Sequence, residues 1–265
     1  MNEKLLMARC AMALFLSLIP GAALAEDAAS LVRQSQAAFH YAGTDLKARV
    51  KMTLLTKEGQ QRLRDLMMLR KNEAGGNQRY FLYFHGPADV RGTVFMVYKY
   101  PAQEDDRWLF LPALNLVQRV AARDSRSSFV GSDFSYEDIS GRDIEADTHA
   151  VLRTEALGSP QTVVIESVPT READYAKKVS RIDQVTFLPM KEEYYDVQGA
   201  LYKVFTADEI RDVQGLPTIT KRTMTNVKTG HKTEVVFESV AYNVGLGDDI
   251  FTERTLRRPP EKWLK

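Results

Sequence analysis

The apolar positions change period once along the chain, near residue 43. Before that point Ala28, Leu31, Val32, Ser35, Ala38 and Phe39 recur at the i, i+3, i+4, i+7 spacing of one helical face. Arg33, Gln34 and Gln36 lie off this stripe, and Gly43 supplies a stop. Beyond it the period is two. Leu46, Ala48, Val50, Met52 and Leu54 alternate with Lys47, Arg49, Lys51 and Thr53, which predicts a half-buried strand. Lys57-Glu58-Gly59-Gln60 reads as a hairpin turn into a second strand over 61–70, and Gly75-Gly76 marks the next turn. Further strands follow at regular spacing from 78–84 to 232–242, including one over 179–187, with turns such as Leu188-Pro189, Gln198-Gly199 and Thr229-Gly230. About ten or eleven strands joined mainly by hairpins predict a mainly β, α+β fold on one antiparallel sheet, which must curl to hide its apolar face.

The stretch 112–141 breaks this rhythm. It carries Ser125, Ser127, Ser128, Gly131, Ser132 and Asp133, interleaved with Phe129, Phe134 and Tyr136. It is too long for a hairpin loop, and long ordered loops usually act in function or cover something. A short helical turn is expected near 136–139. No low-complexity linker or shift of composition divides 26–265, which reads as one domain.

The first 25 residues have a different character. Lys4 and Arg9 precede an apolar run from Cys10 to Ile19, Pro20-Gly21 break it, and Ala23-Leu24-Ala25 stand before Glu26-Asp27. That is the layout of a cleavable secretory signal peptide. The uncharged run from Cys10 to Ala25 is 16 residues, short of the roughly 18 needed to span a bilayer. Cleavage after Ala25 would also remove Cys10, the single cysteine, and with it any disulfide or thiolate chemistry. Cys10 precedes the apolar run, so it is not placed to become a lipidated first residue. The expectation is an exported, unlipidated protein of the periplasm, not an integral membrane protein.

Charge adds an exclusion. Removing Glu3, Lys4 and Arg9 from the 36 basic and 35 acidic residues leaves 34 of each, so no broad electrostatic footprint for nucleic acid is expected. Catalytic and metal motifs are equally thin. Gly131-Ser132-Asp133 is not a nucleophile elbow, since Phe134 stands where a glycine is required. His40, His85, His149 and His231 show no ligand spacing, and Asp133, Glu137, Asp138 and Asp143 lack the alternation of a calcium loop. The reading is a non-enzyme with no metal and no cofactor, an esterase being the distant alternative.

The early strands are conspicuously apolar. Tyr80, Leu82 and Phe84 share one face of a strand; Val94, Met96 and Tyr98 share one face of the next; Trp108 and Phe110 follow. On a concave sheet, Leu82, Phe84, Val94, Met96, Tyr98, Trp108 and Phe110 would line a pocket suited to an acyl chain. The alternative is that they are ordinary core beneath the opening helix.

Asp106-Arg107-Trp108-Leu109-Phe110-Leu111-Pro112-Ala113-Leu114, Arg119-Val120 and Phe129-Val130-Gly131-Ser132-Asp133-Phe134-Ser135-Tyr136-Glu137-Asp138 resemble the LolA-like outer-membrane lipoprotein-sorting protein family. Lys191-Glu192-Glu193-Tyr194-Tyr195-Asp196, Gly199, Lys203, and Met224 before Gly230 sit where that family has similar residues. The resemblance implies a periplasmic half-open barrel: a strongly curved sheet covered by the opening helix and the 112–141 segment. It also implies a carrier that holds lipid or lipoprotein acyl chains, in a branch distinct from the sorting carrier itself. Leu111, Pro112, Gly131, Ser132, Asp133, Phe134 and Tyr136 are then read as a structural motif, with Gly131 allowing a tight turn, Asp133 capping it, and Phe134 and Tyr136 pinning it. The runner-up is an accessory or sensor protein that binds a transporter of the resistance-nodulation-division (RND) type or another envelope partner.

Overall fold

The computed structural model describes residues 21–101, 103–156 and 161–265. Helix α1 (Gly21–His40) opens the described chain, so most of the leader expected over 1–25 lies outside the described residues. Six strands follow: β1 (Asp45–Leu55), β2 (Gln61–Asn72), β3 (Gln78–Gly86), β4 (Val94–Lys99), β5 (Asp106–Leu111) and β6 (Leu116–Arg119). After a long connection come β7 (Asp147–Ala156), β8 (Gln161–Pro169), β9 (Lys177–Asp183), β10 (Pro189–Tyr195), β11 (Leu201–Val213), β12 (Leu216–Asn226) and β13 (Lys232–Tyr242). Two short helices, α2 (Tyr136–Ser140) and α3 (Glu253–Arg257), complete the set.

All thirteen strands form one open, curved antiparallel sheet in the order β6-β5-β4-β3-β2-β1-β13-β12-β11-β10-β9-β8-β7. The sheet is thus two hairpin meanders joined where β1 pairs with β13, Met52 opposite Val235 and Leu54 opposite Thr233. It has more strands than the expected ten or eleven. Strand β6 falls inside the irregular 112–141 stretch, and three of its four residues are exposed, so it has no alternation to read. The strand expected over 179–187 stops at Asp183, whose carboxylate accepts hydrogen bonds from the Val185 and Thr186 backbone amides and folds the chain into a turn.

This topology explains the length of the connection between β6 and β7. Those strands are the two opposite edges of the sheet, so the chain between them must travel its full width. It does so across the face that carries α1. Phe129 packs on Phe84 and Phe95 with ring centroids 5.9 and 5.3 Å apart, and Tyr136 packs on Phe95 at 5.0 Å. Further along, the Asp133 carboxylate accepts from Thr233 Oγ1 at 2.7 Å and pairs with His231 Nδ1 at 2.6 Å. These contacts fasten the connection to β3, β4 and β13 in turn.

The core therefore has layers on both sides of β2–β5. The inner face joins Leu46, Val50, Leu54, Leu66, Leu82 and Phe84 to Phe129, Phe134 and Ile139. The outer face joins Met67, Phe81, Val94, Met96 and Phe110 to Leu246, Ile250, Phe251, Leu256 and Leu264 of the C-terminal segment. Asp45 fixes the start of that segment by accepting from the amides of Val244, Gly245 and Leu246 at 2.7 to 2.9 Å. A buried carboxylate bonded to three amides is a strong anchor.

Candidate functional site in the chamber beneath helix α1

Register divides the seven residues expected to line one pocket. Leu82 pairs with Phe95 and Phe81 with Met96, so Leu82 and Met96 point to opposite faces. Leu82 and Phe84 lie on the inner face, fully buried among the rings of the connection. Val94, Met96, Tyr98, Trp108 and Phe110 lie on the outer face beneath the C-terminal segment, and the Tyr98 hydroxyl donates to the Phe251 carbonyl. These five are walls of packed core and do not share a cavity with Leu82 and Phe84. The inner half of the sheet where the pocket was expected is filled by Phe129, Phe134 and Tyr136.

The motif residues are brought together as a fastening. Leu111 ends β5, and Pro112 begins the turn into β6. Val130 and Gly131 both have positive φ, 50° and 78°, and reverse the chain so that Asp133 reaches β13. The buried Ser132 hydroxyl bonds the Phe134 backbone at 3.3 Å in both directions. Ser135 and Asp138 form a capping box at the start of α2: Ser135 Oγ accepts from the Asp138 amide, and Asp138 accepts from the Ser135 amide at 2.7 Å. Lys203 on β11 then holds Asp138 at 3.2 Å and Asp174 at 3.3 Å.

An open chamber lies elsewhere, between α1, α2 and the inner face of β7–β12. It is a chamber of about 120 Å³ whose wall carries many charged residues, although more of its exposed surface is apolar than polar. Its charges are mostly committed to one another. Arg142 pairs with Glu137 at 3.1 Å and Asp147 at 2.9 Å, while the Tyr175 hydroxyl donates to Asp147 at 2.7 Å. Lys178 and Ser180 each donate to Glu192 at 3.0 Å, and the Tyr194 hydroxyl reaches its other oxygen at 2.7 Å. Burial pushes the Glu192 carboxyl up, but Lys178 and these hydrogen bonds outweigh it and leave it below the usual carboxylate range. Burial likewise pushes Lys203 down, and the carboxylates of Asp138 and Asp174 hold it above the usual lysine range. The Tyr175 and Tyr194 phenols are raised, first by burial and then by Asp147 and Glu192 respectively. Glu192 and Lys203 are thereby held in their charged forms.

Two polar side chains of the lining stand apart. His40, the last residue of α1, is held neutral, chiefly by burial and then by the surrounding cations, of which Lys99 acts most strongly. Arg222 on β12 is surrounded by phenylalanine rings rather than carboxylates. Neither was legible from spacing. Glu192, Tyr194, Lys203 and Met224 were singled out only by the family resemblance, because β10 and β11 are polar on both faces and periodicity cannot say which face is inside. Among the described residues no cluster of three or more His, Cys, Asp or Glu is arranged to hold a metal ion. No described helix is long and apolar enough to cross a membrane.

A family model described as "uncharacterized protein" matches residues 76–258. No curated protein matches the chain. Among solved structures, an outer-membrane lipoprotein-sorting protein domain from Vibrio parahaemolyticus is 30% identical with a TM-score of 0.82, over 88% of this chain and all of the other. A DUF1329 family protein from Desulfovibrio piger is 26% identical with a TM-score of 0.81, over 88% of this chain and 99% of that one. A LolA superfamily protein from Nitrosomonas europaea, at 21% identity and a TM-score of 0.68 over 86% and 98% of the two chains, shares the fold. With its open, curved sheet and the Gly131–Asp138 motif fastening the crossing connection, the chain belongs to the LolA-like family of outer-membrane lipoprotein-sorting proteins.

Proposed function

We propose that the protein is a non-enzymatic periplasmic carrier that holds lipid or lipoprotein acyl chains between the sheet and its cover. The observation that carries this reading is the edge-to-edge connection across the inner face, which is held by the packed rings of Phe129, Phe134 and Tyr136 and by polar contacts at Asp133 and Asp138 rather than by strand pairing with the sheet. Lifting such a cover exposes those rings but leaves the ladder of the sheet intact, so an acyl chain would take their place against it. The chamber of about 120 Å³ is smaller than the roughly 150 Å³ cavity that holds one benzene, so loading requires α1 or the connection to move outward. Each methylene then buried contributes about 0.8 kcal/mol, so ten contribute about 8, less the cost of ordering the chain.

Mass spectrometry of an organic extract from gently purified protein tests the reading. An acyl lipid bound in stoichiometric amount is the expected result. An empty extract, together with no retention of a fluorescent fatty acid, would sink it. Export is checked separately: osmotic shock should release a chain whose intact mass begins at Glu26.

A second reading, an accessory protein docked on an RND-type transporter or another envelope partner, is favoured by the edge of the sheet. There the β5–β6 turn leaves Leu114 70% and Leu116 44% exposed. An empty extract would shift the weight to it.

A further inference from the structure

The chamber beneath α1 continues past Phe39, His40 and Arg222 into a second, smaller cavity, and these three side chains line both. The second cavity has a mixed wall, in which Leu46, Met68, Ile139, Leu188, Ile219 and Phe237 are interspersed with Arg70, Tyr80, Thr218 and Tyr242. The junction therefore joins a chamber rich in charged residues to one with more aliphatic and aromatic residues in its wall, and Arg222 stands where the two meet.

That cation has no hydrogen-bond or ion-pair partner among the described residues. Arg222 Nε is buried without a hydrogen bond, and the guanidinium takes part in none of the ion pairs found among the described residues. Its neighbours are the rings of Phe39, Phe134 and Phe237, whose centroids lie 5.3, 5.5 and 5.1 Å away. Aromatic faces attract a cation, but they leave the in-plane N–H donors unsatisfied. The other cations around the chamber are all engaged: Arg142, Lys178 and Lys203 with carboxylates, Lys99 with the Gly141 carbonyl. Arg70, under the end of α1, donates to the His40 carbonyl. Asp138 is the acid whose field Arg222 feels most, and it is already bonded to Ser135 and Lys203. The His40 ring, packed against Gly141, makes no hydrogen bond among the described residues either. Only its Nε is fully buried, so the terminal nitrogens of this half-buried guanidinium keep free donors at the cavity junction, and donors held there without a partner point to a ligand.

We propose that Arg222, with His40 at the same junction, receives the monoanionic headgroup of an amphiphile, a carboxylate or a phosphodiester, whose apolar chain enters the second cavity under α1. This assignment rests on the carrier reading and narrows its cargo to acidic lipid. A planar guanidinium offers the paired donors that such a group accepts. The phenylalanine cage gives the first methylenes of the chain an apolar seat. A single charge is specified because Glu137, Asp138, Asp143, Asp147, Asp174 and Glu192 also line the chamber and would repel a dianion. Burial lowers the Arg222 pKa to about 10, which leaves it charged at neutral pH.

The test is calorimetric titration of the full-length mature chain below micellar concentrations. The probes are dodecanoate, a twelve-carbon lysophosphatidylglycerol, dodecanol, acetate and inorganic phosphate. Wild-type protein should bind at least one acidic twelve-carbon lipid ten-fold or more tighter than dodecanol, and which of the two it prefers identifies the headgroup. Arg222→Met should erase that preference while still binding dodecanol, with a melting temperature no lower than that of the wild type. Arg222→Lys should retain part of the preference. Equal affinity of the wild type for dodecanol and both acidic lipids overturns the headgroup site but leaves the carrier reading intact, and this comparison needs no variant. Failure of every twelve-carbon probe to bind overturns both. Arg222-dependent binding of acetate or phosphate with the affinity of the lipids also overturns the proposal, since the site would then serve a free anion.

Discussion

The turn at Val130 and Gly131 shows how one position constrains the cover. Gly131 has φ of 78°, and a Cβ built there meets nothing within 4 Å, so a substitution there would be strained without being crowded. Gly131→Val should therefore cost the left-handed penalty alone, about 1–2 kcal/mol. That corresponds to a fall in melting temperature of about 2–8 °C for a domain of this size. Ser132→Ala removes only two long hydrogen bonds to the Phe134 backbone and should cost about 1 kcal/mol or less. Thermal melts of the two variants side by side check the ordering. A Ser132→Ala protein as damaged as Gly131→Val would contradict it.

Strand β4 makes the corresponding point for an element. Val94, Phe95, Met96 and Val97 are all buried, alternately under the C-terminal segment and under the crossing connection. An unbroken apolar run belongs to a strand covered on both faces, whereas alternation belongs to one half-exposed. Met96→Arg consequently has no route to solvent. It should destabilise by at least about 3–5 kcal/mol, the range for an uncompensated buried charge, and strip α3 and its neighbours from the outer face. Hydrogen exchange of residues 244–264 reads this directly. A folded Met96→Arg protein with a normally protected C-terminal segment would contradict the packing described.

At the scale of the whole molecule, the buried polar network should make stability depend on pH. His40, His85 and His149 are all depressed below the ordinary imidazole value, each chiefly by burial. Below about pH 6.5 the unfolded chain binds protons at these sites that the folded chain excludes. Stability is thus complete above that pH and is lost as pH falls towards the folded values, by about 1.4 kcal/mol per pH unit for each excluded proton. Melting temperature should fall between pH 7 and pH 5, and His40→Gln should flatten the slope without abolishing it, since His85 and His149 remain. An unchanged slope in that variant would show that His40 takes up its proton in the folded state.

The sequence by itself determined the elements, because each depends on a local period. A helix stripe up to Phe39, strands of period two and glycine-bearing turns follow from how consecutive side chains project, and the motif around Gly131 was enough to indicate the family. Which side of the sheet each strand presents to which partner is not local. Val94, Met96 and Tyr98 share a face by spacing alone, but only pairing Met96 with Phe81 and Leu82 with Phe95 shows that this face lies opposite that of Leu82 and Phe84. The C-terminal segment that covers it is held by Asp45, two hundred residues earlier in the chain. The chamber was still less legible, since its residues come from α1, α2 and β7–β12 and alternate with equally polar neighbours that face solvent. Tertiary structure alone decided that Glu192 has Lys178, that Lys203 has Asp138, and that Arg222 has only phenylalanines, because an ion pair is a fact of distance in space and leaves no period in the sequence.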